Sequence, residues 1–453
     1  MSENTPNTNY LSAFSPERLV WSARVLKELT VNLNEIHQTD YSERFWKIII
    51  GSYINSVISR KEFLSSKVLD IPALFEPING TSHPGTKERV KRRLRYYLKS
   101  MQAIGGYSLI KKTLLEQDNI SWGFHDPVSV SKDIGGYVPI YSPFLGKGDP
   151  DKRKRAIQVA EKQDDVFINN VTRQLPEIFI EHFQEIMDSI PIHNPEKKTL
   201  HTSTIGSFFM KYMIAKYINS GAKFYIYQHG AYYGEMENHN SHKHESGLAD
   251  KFVTWGWKLT EKDVPGKAYR LEKFKREYLA HKQDAVYDCL FCYPEINNRS
   301  RELFKGYTDD LSAKLDASKY GRLIARPRPS SKLPFASSKI DFPVSGRVTI
   351  DSAKLPMSHV MSKARLVIQF TVPATNFTEC LYVDHPTVGL LNNDQPTAIV
   401  KPYYDFLLES GVLHNDFNSL ISHLNTINLD EWWSNVIKHP TYQAFKNEFL
   451  RAV

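Results

Sequence analysis

Between residues 198 and 255 the chain alternates short apolar runs with one long amphipathic run, and few folds accept that order. Residues 198–203 read as a strand. Phe208–Asn219 (FFMKYMIAKYIN) reads as a helix. Ser220-Gly221 is its stop signal, because glycine takes the left-handed conformation that closes a helix. Residues 224–227 form a second apolar run, and 250–255 (DKFVTW) a third that ends at Gly256. Strands joined through a helix cannot pair as a hairpin. They lie parallel, which is the wiring of a doubly wound α/β layer.

The second run stops abruptly at Gln228-His229-Gly230, and Tyr232-Tyr233-Gly234-Glu235 and Trp255-Gly256-Trp257 follow in the same short span. Ligands of open parallel sheets bind just past the carboxyl ends of the strands. A histidine there suits general-base chemistry, since an imidazole titrates near neutral pH. His229 is the first candidate base. Glu235, Glu245 and Asp250 are the acidic alternatives from the same stretch. Gln228, Gly230, Tyr233 and Trp255 are candidate substrate contacts, with Gly230 letting backbone approach a ligand. A histidine satisfied inside a capped loop is the plain alternative for His229 taken alone.

A second α/β unit begins near residue 284. AVYDCLFCYP is its first strand, 299–316 a helix, and GRLIARPRP a strand running into a proline-stiffened loop. VTID, ARLVIQF (364–370) and PTVGLL (386–391) are further strands, and 375–383 is a helix. Residues 401–453 read as helical and carry Trp432, Trp433, Phe445 and Phe449. Arg326 and Arg328 alternate at a strand end, where a guanidinium can hold phosphate in a bidentate bond. Ser330 and Ser331 follow. The step from ARLVIQF into Thr371-Val-Pro-Ala-Thr375-Asn376 opens a helix, whose free N–H groups and positive dipole end make an anion site. Glu379, within the first turns, can accept hydroxyls from a ribose or sugar. Ordinary capping by Thr or Asn is the alternative there.

Composition narrows the function classes. A chain of 453 residues with 41% hydrophobic and 24% charged residues is globular and long enough for two domains. The net charge of +8 favours an anionic partner: a phosphorylated substrate, an acidic membrane surface or nucleic acid. Basic clusters stand at 87–95 (KERVKRRLR) and 151–155 (DKRKR), but without the interleaved aromatics of a nucleic-acid module, so no nucleic-acid partner is expected. Cys289 and Cys292 lie inside an apolar strand-like run and Cys380 is alone, so a zinc site, a redox pair and disulfides are not expected. The start, MSENTPNTNY, lacks the apolar core of a signal peptide, and no run is long enough to span a membrane. A cytoplasmic protein is expected.

Several of these stretches resemble a transferase family of bacterial surface-carbohydrate (O-antigen and capsule) gene clusters. They are Phe45-Trp46-Lys47 with Gly51, Leu175-Pro176, the QHG-x-x-YG core at 228–234, residues 245–250, Trp255-Gly256-Trp257, 371–379, and Trp432-Trp433 with Phe445. The segment TNFTECLYVDHPTVGL is similar to the donor-binding helix of GT-B glycosyltransferases, with Pro386 leading the next strand and His385 where a glycine is common. RPRPSS resembles elements of Kdo- and sialic-acid-type transferases that contact a cytidine monophosphate, with Arg328 in place of a histidine. The resemblance implies an α/β, GT-B-like fold with two Rossmann-like domains, a cleft between them and helical additions at both ends. The expected division is an acceptor-side domain over 1–257, a connection over 258–283, a nucleotide-sugar domain over 284–425, and helices over 426–453 that pack back on the first domain. The implied enzyme is a metal-independent glycosyltransferase with no cofactor beyond its nucleotide-sugar co-substrate. The expected donor is a CMP-activated ulosonic acid, and the acceptor a surface-polysaccharide or lipopolysaccharide glycan or glycolipid. Peripheral contact with the anionic cytoplasmic face of the inner membrane is expected too. A polyol-phosphate transferase and a non-enzymatic carbohydrate-binding protein are the alternatives.

Overall fold

The computed structural model describes residues 16–64, 116–122, 148–205, 208–237, 239–295, 300–328, 347–351 and 354–451. The basic stretch at 87–95 and the serines Ser330 and Ser331 lie outside them. The chain divides into two compact units, Met1–Tyr227 with His244–Lys251, and Gln228–Lys243 with Phe252–Val453.

The first unit is helix-rich around a small parallel sheet. Its helices are α1 (Pro16–His37), α2 (Glu43–Leu64), α3 (Pro150–Glu161), α4 (Val166–Arg173), α5 (Phe183–Ser189) and α6 (Phe208–Asn219). The residues from His244 on of α7 (Asn240–Leu248) also belong to it. Strands β1 (Asn119–Trp122), β2 (Thr199–Thr202) and β3 (Lys223–Tyr227) pair in parallel, with His201 opposite Tyr225. Local signals set the helix ends. Asp149 caps α3 by accepting from Asp151 N, with Pro150 at the first turn, and Asp165 caps α4 by accepting from Phe167 N and Ile168 N. After α6, Gly221 (φ +102°) turns the chain so that Ala222 N donates to Tyr217 O. Aromatics fill the core: His37 lies 4.1 Å from the Phe183 ring, which is 5.0 Å from Trp46. Burial holds the His37 imidazole down at about 4. Within the 151–155 cluster Asp151 and Lys154 are exposed, while Arg153 pairs with Glu181 at 2.6 Å and donates to Arg173 O and Leu175 O.

The second unit is built on a six-stranded parallel sheet. Outside that sheet, strand β4 (Lys251–Thr254), whose first residue counts with the first unit, pairs with β5 (Asp263–Pro265), a three-residue strand inside the stretch expected to be the interdomain connection. DVP is too short to show alternation, and Pro265 can serve only where no N–H is needed. Helix α8 (Tyr269–Ala280) follows, then β6 (Tyr287–Glu295), α9 (Ser300–Lys314), β7 (Leu323–Arg328), β8 (Val348–Ile350), α10 (Met357–Met361), β9 (Ala364–Val372) and α11 (Thr375–Tyr382). Strand β10 (Thr387–Leu391), α12 (Lys401–Glu409), β11 (Leu413–His414), α13 (Phe417–Thr426), α14 (Leu429–Lys438) and α15 (Pro440–Phe449) complete it.

The sheet order is β11-β10-β9-β6-β7-β8, and the pairs are parallel. Numbered from β6, this is 6-5-4-1-2-3, the strand order of a dinucleotide-binding sheet. Both faces are covered, as a parallel sheet requires. Phe291, Leu323, Leu366 and Ile368 pack with Leu311 of α9 and Leu315 just past its end, and with Leu420 and Leu424 of α13. Leu290, Cys292, Ile324 and Val367 face the other way, toward Phe274 and Tyr278 of α8 and Cys380 of α11. All three cysteines are buried and free. The last helices hold the turn after α11: Trp433 Nε1 donates to Asp384 O at 2.8 Å, and Lys446 Nζ reaches Asp384 Oδ1 at 2.6 Å. Arg451 N donates to Trp255 O at 2.8 Å.

Candidate functional site

The Gln-His-Gly and Trp-Gly-Trp elements form one buried buttress of the second unit. Gln228 is 5% exposed and all its amide atoms are engaged. Its Nε2 donates to Gly230 O at 2.9 Å, while its Oε1 accepts from Trp255 N and from Trp257 Nε1, each at 2.9 Å. The Gln228 carbonyl takes the Trp255 indole at 3.1 Å. Gly234, at φ +73°, lies flat on Trp257; a Cβ there would sit 2.5 Å from ring carbons. Gln228 and Trp255 therefore direct their polar atoms inward, and the element they support is the loop that carries His229.

His229 is half-buried. Its ring meets the Tyr233 hydroxyl, 3.2 Å from Nδ1. Tyr233 is fixed by stacking on Phe252 and by the edge contact with His239, 4.4 Å away. Burial, with His242 and His229 adding, holds His239 down at about 3.

The same loop meets the start of α11. Ala231 N donates to Thr375 Oγ1 at 3.3 Å, and a Cβ on Gly230 would stand 3.1 Å from that oxygen. Arg270 of α8 donates through Nη1 to His229 O at 3.3 Å and through Nε to Glu379 Oε1 at 3.2 Å. Glu379 is 4% exposed; burial raises its pKa and Arg270 opposes that. Helix α11 has Ala374 as its N-cap residue and no side-chain cap, so its first-turn N–H groups are left to water or a ligand. Thr371, Thr375 and Asn376 are partly exposed around it. This helix follows β9, which lies beside β6, the first strand of the sheet and the point where strand order reverses. The structure thus brings together His229, Gly230, Tyr233, Thr375 and Glu379.

Glu235, Asp250 and Arg326 are held by partners of their own. Glu235 is buried beneath Tyr404, whose hydroxyl donates to Oε2 at 2.6 Å, and burial raises its carboxyl to about 7. Glu245 and Asp250 belong to the first unit. Asp250 takes Arg44 at 2.9 Å and accepts from Phe224 N at 2.8 Å. Arg326 is held by Asp351 at 2.8 Å and donates to Leu355 O. Arg328 closes β7. Arg270 was not legible in the sequence: it sits in the charged run YRLEKFKRE, where nothing marks one cation from the next. Among the described residues no cluster of His, Cys, Asp and Glu could hold a metal ion, and no helix is long and apolar enough to cross a membrane.

The fold and this site define an α/β protein with a nucleotide-type sheet and an uncapped helix start at its switch point. Comparison with known proteins supplies the family. A profile for the LIC12162 family transferases matches residues 79–453, and the chain belongs to that family. A search of curated proteins returns no significant match. Among solved structures the chain is similar to the wall teichoic acid polymerase TagF, with 12% identity over 81% of this chain and 94% of that one, at a TM-score of 0.36. It is also similar to the spinosyn forosaminyltransferase SpnP (9% identity, 74% and 87% covered, TM-score 0.32). A third is an α,α-trehalose 6-phosphate synthase from Burkholderia multivorans (8% identity, 67% and 73% covered, TM-score 0.32).

Proposed function

We propose that this transferase is a glycosyltransferase that draws on a nucleotide-sugar donor, with a CMP-activated ulosonic acid as the donor class and a surface-polysaccharide or lipopolysaccharide glycan as acceptor. The observation that carries the reading is the strand order of the second unit, which sets the uncapped start of α11 at the switch point with the His229 loop against it. The donor phosphate lies on the N–H groups of the first turn of α11, aided by Thr371, Thr375 and Asn376. The backbone dipoles and the Arg270 charge stabilise the leaving phosphate, so the step needs no metal. His229 takes the proton of an acceptor hydroxyl. That oxygen bonds to the anomeric carbon as the bond from that carbon to the phosphate oxygen breaks, and CMP leaves with the electron pair. No cofactor is consumed. The acceptor and the charge of +8 are consistent with work at the cytoplasmic face of an anionic membrane.

The test is a thermal-shift screen of CMP, CDP and UDP. A nucleotide at 100 times its Kd stabilises the protein by about 2.7 kcal/mol. A shift with CMP supports the ulosonic donor. A shift with CDP instead moves the donor to the polyol-phosphate class. No shift with any of the three overturns the nucleotide reading.

A further inference from the structure

The first unit gathers basic groups that the glycosyl-transfer reading does not use. Lys47 lies on α2, Lys211 on α6 and His244 on α7. The Lys211 ammonium donates to Ser52 Oγ, one turn past Lys47 on α2. Lys211 is only 7% exposed, and its acceptor Ser52 is an exposed residue. A buried ammonium without a carboxylate is costly. Among the described residues no carboxylate pairs with Lys47 or Lys211, and burial alone accounts for the lowered pKa of Lys211. The nearby acid Asp250 is taken by Arg44.

His244 faces both lysines: burial holds its pKa down at about 4, and the charges that add to this are Lys47 and Lys211. Two glycines allow the approach. A Cβ on Gly51 would stand 3.1 Å from His244 Cε1, and one on Gly247 would stand 3.5 Å from Lys47 Nζ. Lys47 and Gly51 are also among the residues that carry the family resemblance, without a role there.

We propose that Lys47, Lys211, Ser52 and His244 form an oxyanion site that binds a phosphate group, supplied by a soluble phosphorylated compound or by an anionic lipid headgroup. Two ammonium groups match a phosphate dianion, and a hydroxyl and an imidazole N–H supply directional donors. The site lies in the first unit and does not depend on where the donor nucleotide binds.

The test uses the full chain. Inorganic phosphate and pyrophosphate are titrated by calorimetry in chloride buffer, and flotation with phosphatidylglycerol or phosphatidylcholine vesicles tests the lipid source. Lys47→Met and Lys211→Met keep the aliphatic stem and remove the charge. Phosphate should bind the wild type saturably, and each variant should weaken it by about tenfold or more. Flotation with phosphatidylglycerol that is lost in both variants assigns the lipid source; flotation unchanged or absent assigns the soluble one. If Lys211→Met fails to fold by circular dichroism, Lys47→Met carries the test. Phosphate that binds the variants as it binds the wild type sits elsewhere and overturns the site. Binding of neither phosphate, pyrophosphate nor phosphatidylglycerol by the wild type overturns it as well.

Discussion

Replacing Gln228 by methionine isolates the buttress beneath His229. Methionine is close to glutamine in length and volume, so little cavity is created. Three hydrogen bonds vanish: to Gly230 O, from Trp255 N and from Trp257 Nε1. Both tryptophans are buried, at 2% and 1% exposure, so water cannot replace the lost partner. An orphaned buried donor costs about 1–3 kcal/mol, and two of them put the loss at about 2–6 kcal/mol. Urea unfolding followed by tryptophan fluorescence measures it. Trp257→Phe removes one donor while keeping a ring, so the double variant should lose less than the two single losses added together, by about 0.5–3 kcal/mol. A Gln228→Met protein within about 0.5 kcal/mol of wild type would show that these bonds do not hold the loop, since that is the range of an ordinary surface change.

Three further outcomes are expected. His229→Ala should slow turnover by about 10²–10⁴-fold with the fold intact by circular dichroism; normal turnover there, with Glu235→Gln, Glu245→Gln or Asp250→Asn inactive, would give the base to that carboxylate. Burial raises Glu235 from 4.5 to about 7, so the folded chain keeps a proton that the unfolded chain has released. That contribution is full below the unfolded value and is lost as pH rises through the folded one. It is worth roughly 3 kcal/mol at 1.36 kcal/mol per pKa unit, and Glu235→Gln should flatten that part of the fall in stability; an unchanged slope would contradict it. Gly256 stands at φ +135°, and a Cβ there would lie 2.4 Å from Glu448 O. Gly256→Ala should therefore cost about 1–3 kcal/mol from the backbone alone and speed hydrogen exchange in α15; unchanged exchange would show the tail is held elsewhere.

The parallel wiring was readable because apolar runs, an amphipathic helix and glycine stops are local signals. Helix α6 ends where Ser220-Gly221 says it should, and α11 starts at Thr375, as the turn out of ARLVIQF implies. The short strands β5 and β11 were not readable, since two or three residues carry no period. Proximity in sequence drew Gln228, Trp255 and Trp257 into one group. It could not show that Gln228 aims its amide inward, because hydrogen-bond direction is set by packing across 27 and 29 residues. The Tyr404–Glu235 bond spans 169 residues and the Arg270–Glu379 pair 109, and neither leaves a local pattern. The Lys47, Lys211 and His244 cluster was hidden for the same reason: it is assembled from three helices.

In the proposed reaction the start of α11 receives the donor's phosphate. A crystal structure of the protein soaked with CMP, and then with UDP, tests it most directly. Phosphate oxygens should lie about 3 Å from the N–H groups of Thr375, Asn376 and Phe377, with the His229 loop beside them. A nucleotide bound elsewhere while the start of α11 stays empty would contradict it.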